Sequence, residues 1–177
     1  MASWQLIVMT FQILKLETTS KPEMYSNLAA QLRSLIEGER DFIANAANAS
    51  SLLYHSLPDL NWAGFYLLKE GELVLGPFQG KPACVRIAMG KGVCGTAAEQ
   101  RQTILVDNVH DFPDHIACDS ESNSEIVVPL ISARQLIGVL DLDSPLVRRF
   151  DEEDAKGLNE LVTIFMESLP IAAPDTL

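Results

Sequence analysis

The chain has 177 residues, 47% of them hydrophobic and 21% charged, enough to bury a single core and too apolar for a disordered or low-complexity segment. Acidic residues outnumber basic ones 24 to 13, for a net charge of −11. Such a surface repels phosphate backbones and anionic lipids, which disfavours nucleic-acid and membrane-surface roles. Three cysteines are too few, and odd in number, for a secreted disulfide scaffold; they fit a reducing, cytoplasmic setting, in which a few cysteines at unusual places mean either chemistry or nothing.

Trp4 to Leu16 is apolar but interrupted by Gln5, Thr10 and Gln12. It is too short to span a bilayer, and no basic residue precedes it as in a signal peptide. Residues 1–20 are therefore expected to be an extension that packs on the domain or on a partner. Pro22 opens a helix whose apolar stripe is Met24, Leu28, Leu32, Leu35 and Ile36, ending at Gly38. Phe42, Ile43, Ala46, Ala47, Leu52 and Leu53 mark a second helix. Asn61–Leu68 reads as a strand that turns at Glu70-Gly71 into Leu73–Phe78, a hairpin.

Cys84–Ala88 is a short alternating run, and the glycine-rich Gly90–Thr96 leads into a short helix, Ala97–Gln100. A strand at Thr103–Val106 is followed by a long polar loop, Asp107–Ser124, and then by the apolar strands Ile126–Ile131 and Leu136–Leu142. Asp151 reads as the N-cap of a last helix, with Asp154 three positions on in the manner of a capping box, and Pro170 as its stop. The order predicts one α+β domain over residues 21–170. Its central sheet is largely antiparallel, has about six strands and is flanked by helices at both chain ends; residues 171–177 form a tail.

Several side chains stand out chemically. A Cys₃His zinc site from Cys84, Cys94, Cys118 and His115 is poorly supported, because structural zinc recruits close cysteine pairs and Cys84 to Cys94 is too wide. Cys84, opening a strand, fits a buried apolar thiol. Cys118 does not: it lies in a polar loop, where a thiol is a candidate nucleophile. Gly90–Thr96 lacks the Ser or Thr that a phosphate loop needs after its lysine. A glycine turn feeding a helix still offers N–H groups to a small anion such as a carboxylate.

Asp141 and Asp143 are two apart on one strand and so share a face. Antiparallel pairing across the turn at Ser132–Gln135 brings Glu125 close to them. Three carboxylates together require a cation, a proton or a ligand amine. Calcium is an alternative, but no EF-hand-like loop is present. Trp62 and Tyr66 share a face four residues apart and either fill the core or wall a pocket.

Six segments carry a resemblance. They are Asn61-Trp-Ala-Gly-Phe-Tyr66, Leu75-Gly-Pro-Phe-Gln-Gly-Lys81, Gly90-Lys-Gly-Val-Cys-Gly-Thr-Ala97, His115-Ile-Ala-Cys-Asp119, Ser124-Glu-Ile-Val-Val-Pro129 and Gly138-Val-Leu-Asp-Leu-Asp-Ser144. Together, from about Tyr25 to Met166, the chain resembles the free methionine-(R)-sulfoxide reductases, which are GAF-domain proteins. The resemblance implies a GAF-like fold and reduction of free methionine-(R)-sulfoxide. It also implies recycling by thioredoxin, no metal or organic cofactor, and a homodimer.

By the same resemblance Cys118 is the attacking thiol, with Cys84 or Cys94 resolving its sulfenic acid. Glu125, Asp141 and Asp143 are pocket acids, of which Glu125 or Asp143 supplies a proton, and Trp62 and Tyr66 form the aromatic wall. A GAF module that senses a small molecule without chemistry is the competing expectation.

Overall fold

The computed structural model describes residues 20–113 and 119–169. The expected extension, the tail, Pro170, His115 and Cys118 therefore lie outside the described residues, apart from Ser20. Helix α1 (Lys21–Leu35) has proline in its first turn, where the missing N–H has no helical partner to lose. Helix α2 (Phe42–Ser56) is capped by Asp41, whose carboxylate accepts the Ala44 N–H. Strands β1 (Trp62–Lys69) and β2 (Glu72–Gly80) form the expected hairpin. Glu70 and Gly71 both sit at positive φ, 53° and 83°, the backbone that a two-residue hairpin turn demands.

After β3 (Arg86–Ala88) comes α3 (Gly92–Gln100), then β4 (Ile104–Val106) and a single 3₁₀ turn at Val109–Asp111. The long strands β5 (Ser124–Ser132) and β6 (Gln135–Ser144) and the helix α4 (Glu152–Ser168) complete the fold. The six strands make one sheet in the order β3-β2-β1-β6-β5-β4, with every pairing antiparallel. The α+β expectation with helices at both ends holds.

Period-two alternation gives the sheet two different faces. Ala63, Phe65, Leu67, Ile126, Val128, Leu130, Leu140 and Leu142 point into a core shared with α1, α2 and α4. Trp62, Tyr66, Val127 and Val139 point the other way, under α3 and its residues Val93, Cys94, Ala97 and Ala98. The thick three-helix side carries the bulk of the apolar burial. The thin α3 side leaves room for a site.

The helix-bearing side is clamped by a buried charge. Asp154 is fully buried and accepts hydrogen bonds from Tyr25 Oη (2.8 Å), Lys21 Nζ (2.5 Å) and Arg149 Nη1 (3.2 Å). Its partnership with Asp151 is a complete capping box, as the spacing of the two aspartates predicts. Two cations and a phenol surround one carboxylate, which makes its burial tolerable. Gly157 lies one turn further along α4, where any Cβ would collide with the Tyr25 ring.

Two local expectations are corrected. Helix α3 begins at Gly92, five residues before the predicted Ala97. Gly92 (φ 59°) turns the chain into the helix, and Gly95 abuts the Ala88 carbonyl so closely that a Cβ would not fit. Glycine is here for close packing inside a helix, not for a loop. The predicted Asp107–Ser124 loop contains the turn at Val109–Asp111, capped by the Asn108 side chain and anchored by fully buried Val109. Among the described residues, no helix is long and apolar enough to cross a membrane.

Candidate active site

The register of three strands builds the site. Glu125 on β5 stands opposite Asp143 on β6, and Val127 stands opposite Asp141. Trp62 on β1 faces Asp143 from the other side. Period two then sends Glu125, Asp141, Asp143, Trp62 and Tyr66 to the α3 face. Across from them α3 presents Cys94, buried and free, with Sγ donating toward Glu125 Oε1 at 3.9 Å. Glu125, Asp141, Asp143 and Cys94 surround a cavity of about 30 Å³ also lined by Tyr66, Lys91, Asp119 and Ser122. That is room for about two water molecules or one ammonium group.

Burial dominates the acid chemistry. It pushes the Glu125 carboxyl well above the ordinary range, reinforced by the charges of Asp141 and Asp143. It raises Asp143 in the same way, with the Asp141 charge adding to it and a hydrogen bond to Ser122 opposing it. Asp141 is pushed up to about 7, although hydrogen bonds to Cys94 and Glu125 act against the rise. The Cys94 thiol is likewise raised, by burial first and then by Asp141 and Glu125. The cluster therefore holds protons near neutrality that isolated carboxyls would have lost. Asp141 Oδ1 is buried and has no hydrogen-bond partner among the described residues.

The opposite wall is the start of α3, where Lys91, Gly92 and Val93 line the cavity. Its N-cap residue, Lys91, offers no capping side-chain acceptor. The positive end of the helix thus faces the cavity across from the acids. Of the two predicted aromatics, Tyr66 lines the cavity. Trp62 stands behind it, its ring stacked at 5.8 Å on Tyr66 and at 5.3 Å on Phe78. Both hold the connection between β2 and β3: Tyr66 Oη donates to the Cys84 carbonyl (3.0 Å) and Trp62 Nε1 to the Lys81 carbonyl (3.2 Å).

Cys84 is disulfide-bonded, whereas Cys94 is a free thiol. Cys118 lies outside the described residues, but the segment that follows it is firmly placed. Asp119 accepts from Asn61 Nδ2 (3.2 Å) and Lys81 Nζ (3.4 Å), while Asn61 Nδ2 also donates to Ser122 Oγ (3.0 Å) and Lys81 pairs with Glu121 (2.5 Å). The Asp119 carboxyl is held below its ordinary range, first by the Glu121 N–H and then by Lys81 and Asn61. These anchoring side chains escaped the sequence reading as functional residues. A single Asn and a single Lys, about 58 and 38 positions from Asp119, leave no periodic signal to find them by.

The GAF domain family model matches residues 49–166. The chain is 55% identical over 143 residues to the free methionine-R-sulfoxide reductase of Escherichia coli, spanning 81% of this chain and 87% of that protein. Its identity to the protein of the same name from Saccharomyces cerevisiae is 43% over 157 residues, 84% of this chain and 87% of the relative. The X-ray structure of free methionine-R-sulfoxide reductase from Neisseria meningitidis in complex with its substrate has a TM-score of 0.84 at 44% identity, covering 88% of this chain and 93% of that one.

Proposed function

This chain belongs to the GAF-domain family of free methionine-R-sulfoxide reductases, and from that premise we propose that it reduces the R-sulfoxide of free methionine to methionine. The observation that carries the reading is the cavity itself: the buried carboxyls of Glu125 and Asp141 and the half-buried one of Asp143 on one side, and the positive end of α3 on the other. A free amino acid brings an ammonium for the first and a carboxylate for the second. Asp141 Oδ1, without a hydrogen-bond partner among the described residues, is the natural acceptor for that ammonium.

In the proposed reaction Cys118 attacks the sulfoxide while Glu125 or Asp143 protonates its oxygen. A carboxyl pKa raised by burial keeps the donor neutral at the pH of the cell. Methionine leaves and the oxygen stays on Cys118 as a sulfenic acid. The Cys84 thiol then displaces that oxygen as water, forming a disulfide, and an external dithiol, thioredoxin in this reading, returns both cysteines to thiols. Cys84 is favoured over Cys94 as the resolving residue because Cys84 is the one found disulfide-bonded.

The test is methionine release by the purified protein with free methionine-(R)-sulfoxide and dithiothreitol. Turnover in the parent and none in a folded Cys118→Ser variant supports the reading. Absence of release by the parent overturns it in favour of a sensing module, and undiminished release by Cys118→Ser overturns the nucleophile assignment.

A further inference from the structure

We propose that Cys94, Glu125 and Asp141 form a binding site for a borderline-soft divalent cation, with Zn²⁺ as the fitting ion, and that the cation occupies the position taken by the substrate ammonium. One ligand atom from each of the three side chains lies within 4.8 Å of the other two, and all three residues are buried. In tetrahedral zinc sites with bonds of about 2.0–2.3 Å, donor atoms stand roughly 3.3–3.8 Å apart. Small side-chain rotations therefore close the set around an ion. The three donors come from α3, β5 and β6, elements whose relative placement the sheet already fixes.

A second observation points independently to a ligand. Asp141 is 6% exposed, lines the cavity, and its Oδ1 has no partner among the described residues. A buried carboxylate oxygen left in that condition is costly, and a bound cation removes the cost. The donor set decides the ion. One thiolate and two carboxylates match the N/S/O preference of Zn²⁺, whereas Mg²⁺ and Ca²⁺ demand six or more oxygens in an open cage. The cavity holds room for water as a fourth ligand. Binding deprotonates the thiol and the acids and so expels protons.

Binding itself does not depend on the proposed reductase activity; only its inhibitory consequence does. The experiment uses the oxidised protein, in which Cys84 is disulfide-bonded and Cys94 free, titrated with Co²⁺ as a spectroscopic stand-in. The expected result is a thiolate-to-cobalt charge-transfer band that saturates at one equivalent, is abolished by Zn²⁺ and survives millimolar Mg²⁺. Cys94→Ser should remove the band, and Asp141→Asn, checked for fold by circular dichroism, should weaken binding on the order of tenfold or more. No band, or a band that persists in Cys94→Ser, overturns the site. With the reduced enzyme, Zn²⁺ should raise the apparent KM for free methionine sulfoxide; inhibition that leaves KM unchanged overturns the shared position.

Discussion

Asp141 is the residue on which the pocket's electrostatics turn. Burial moves its carboxyl from 3.8 to about 7, so between those values the folded protein keeps a proton that the unfolded chain has released. The stability tied to this group is fully present below the unfolded value and is lost as pH rises through about 7. Asp141→Asn cannot ionise, and its stability relative to the parent should therefore improve from pH 4 to about pH 7 and then level off in urea unfolding. A difference that does not change with pH would remove Asp141 as the source of the strain. Asp151 and Asp119 have the opposite sign, pKa values lowered chiefly by Lys21 and by the Glu121 N–H, respectively. Their contribution is lost only as pH falls below the ordinary carboxyl value.

Glu125 and Asp143 are the proton donors proposed for the reaction, and both titrate high for the same physical reason, burial beside other carboxyls. Glu125→Gln or Asp143→Asn should lower single-turnover methionine release by ~10²–10⁴-fold, since an amide cannot deliver the proton. Asp59→Asn, in the loop before β1, is the control. Rates within a fewfold of the parent in both variants would mean that neither carboxyl is the acid.

At the scale of elements, the connection from β2 to β3 is the piece that must meet the segment after Cys118. Asn61, just before β1, and Lys81, just after β2 in the connection that carries Cys84, tie down Asp119, Glu121 and Ser122. Lys81→Met should leave the first release of methionine intact and slow closure of the disulfide by on the order of ten- to hundredfold, because a small misplacement of reacting sulfurs is enough. Trapping of the sulfenic acid with dimedone would then rise, and Lys81→Arg should restore the parental rate. Closure at the parental rate in Lys81→Met would contradict the anchoring role.

The same scale separates what was legible in the sequence from what was not. The β5–β6 pair could be placed from alternation and a short turn, and with it the meeting of Glu125, Asp141 and Asp143. The capping box at Asp151 was equally local. Helix α3 was read too short, because its glycines look like a loop until the Ala88 carbonyl is seen against Gly95. Trp62 stands behind Tyr66 rather than on the cavity for a similar reason: the stack on Phe78 across the β1–β2 hairpin is a tertiary fact. Nothing in a linear pattern announces it.

For the whole molecule, the sheet divides the labour. Its three-helix face carries the packed aromatic cluster of Phe42, Phe65 and Phe165 and the Asp154 clamp. That packed side supports β5 and β6 while their other face gathers Glu125, Asp141 and Asp143, two of them buried, at a cost in stability. The net charge of −11 does not oppose a zwitterionic ligand, which brings one charge of each sign. It does disfavour a polyanionic one.

Selectivity between a free and a blocked substrate is where these arguments meet. A peptide-like methionine sulfoxide has amides in place of its ammonium and carboxylate, and would leave Asp141 Oδ1 without a cation and the start of α3 without an anion. Methionine formation should therefore be measured on the free R-sulfoxide and on the R-sulfoxide of N-acetyl-methionine amide, side by side. The account predicts turnover of the free amino acid and rates lower by at least about a hundredfold on the blocked one. Comparable rates on the two substrates would contradict it.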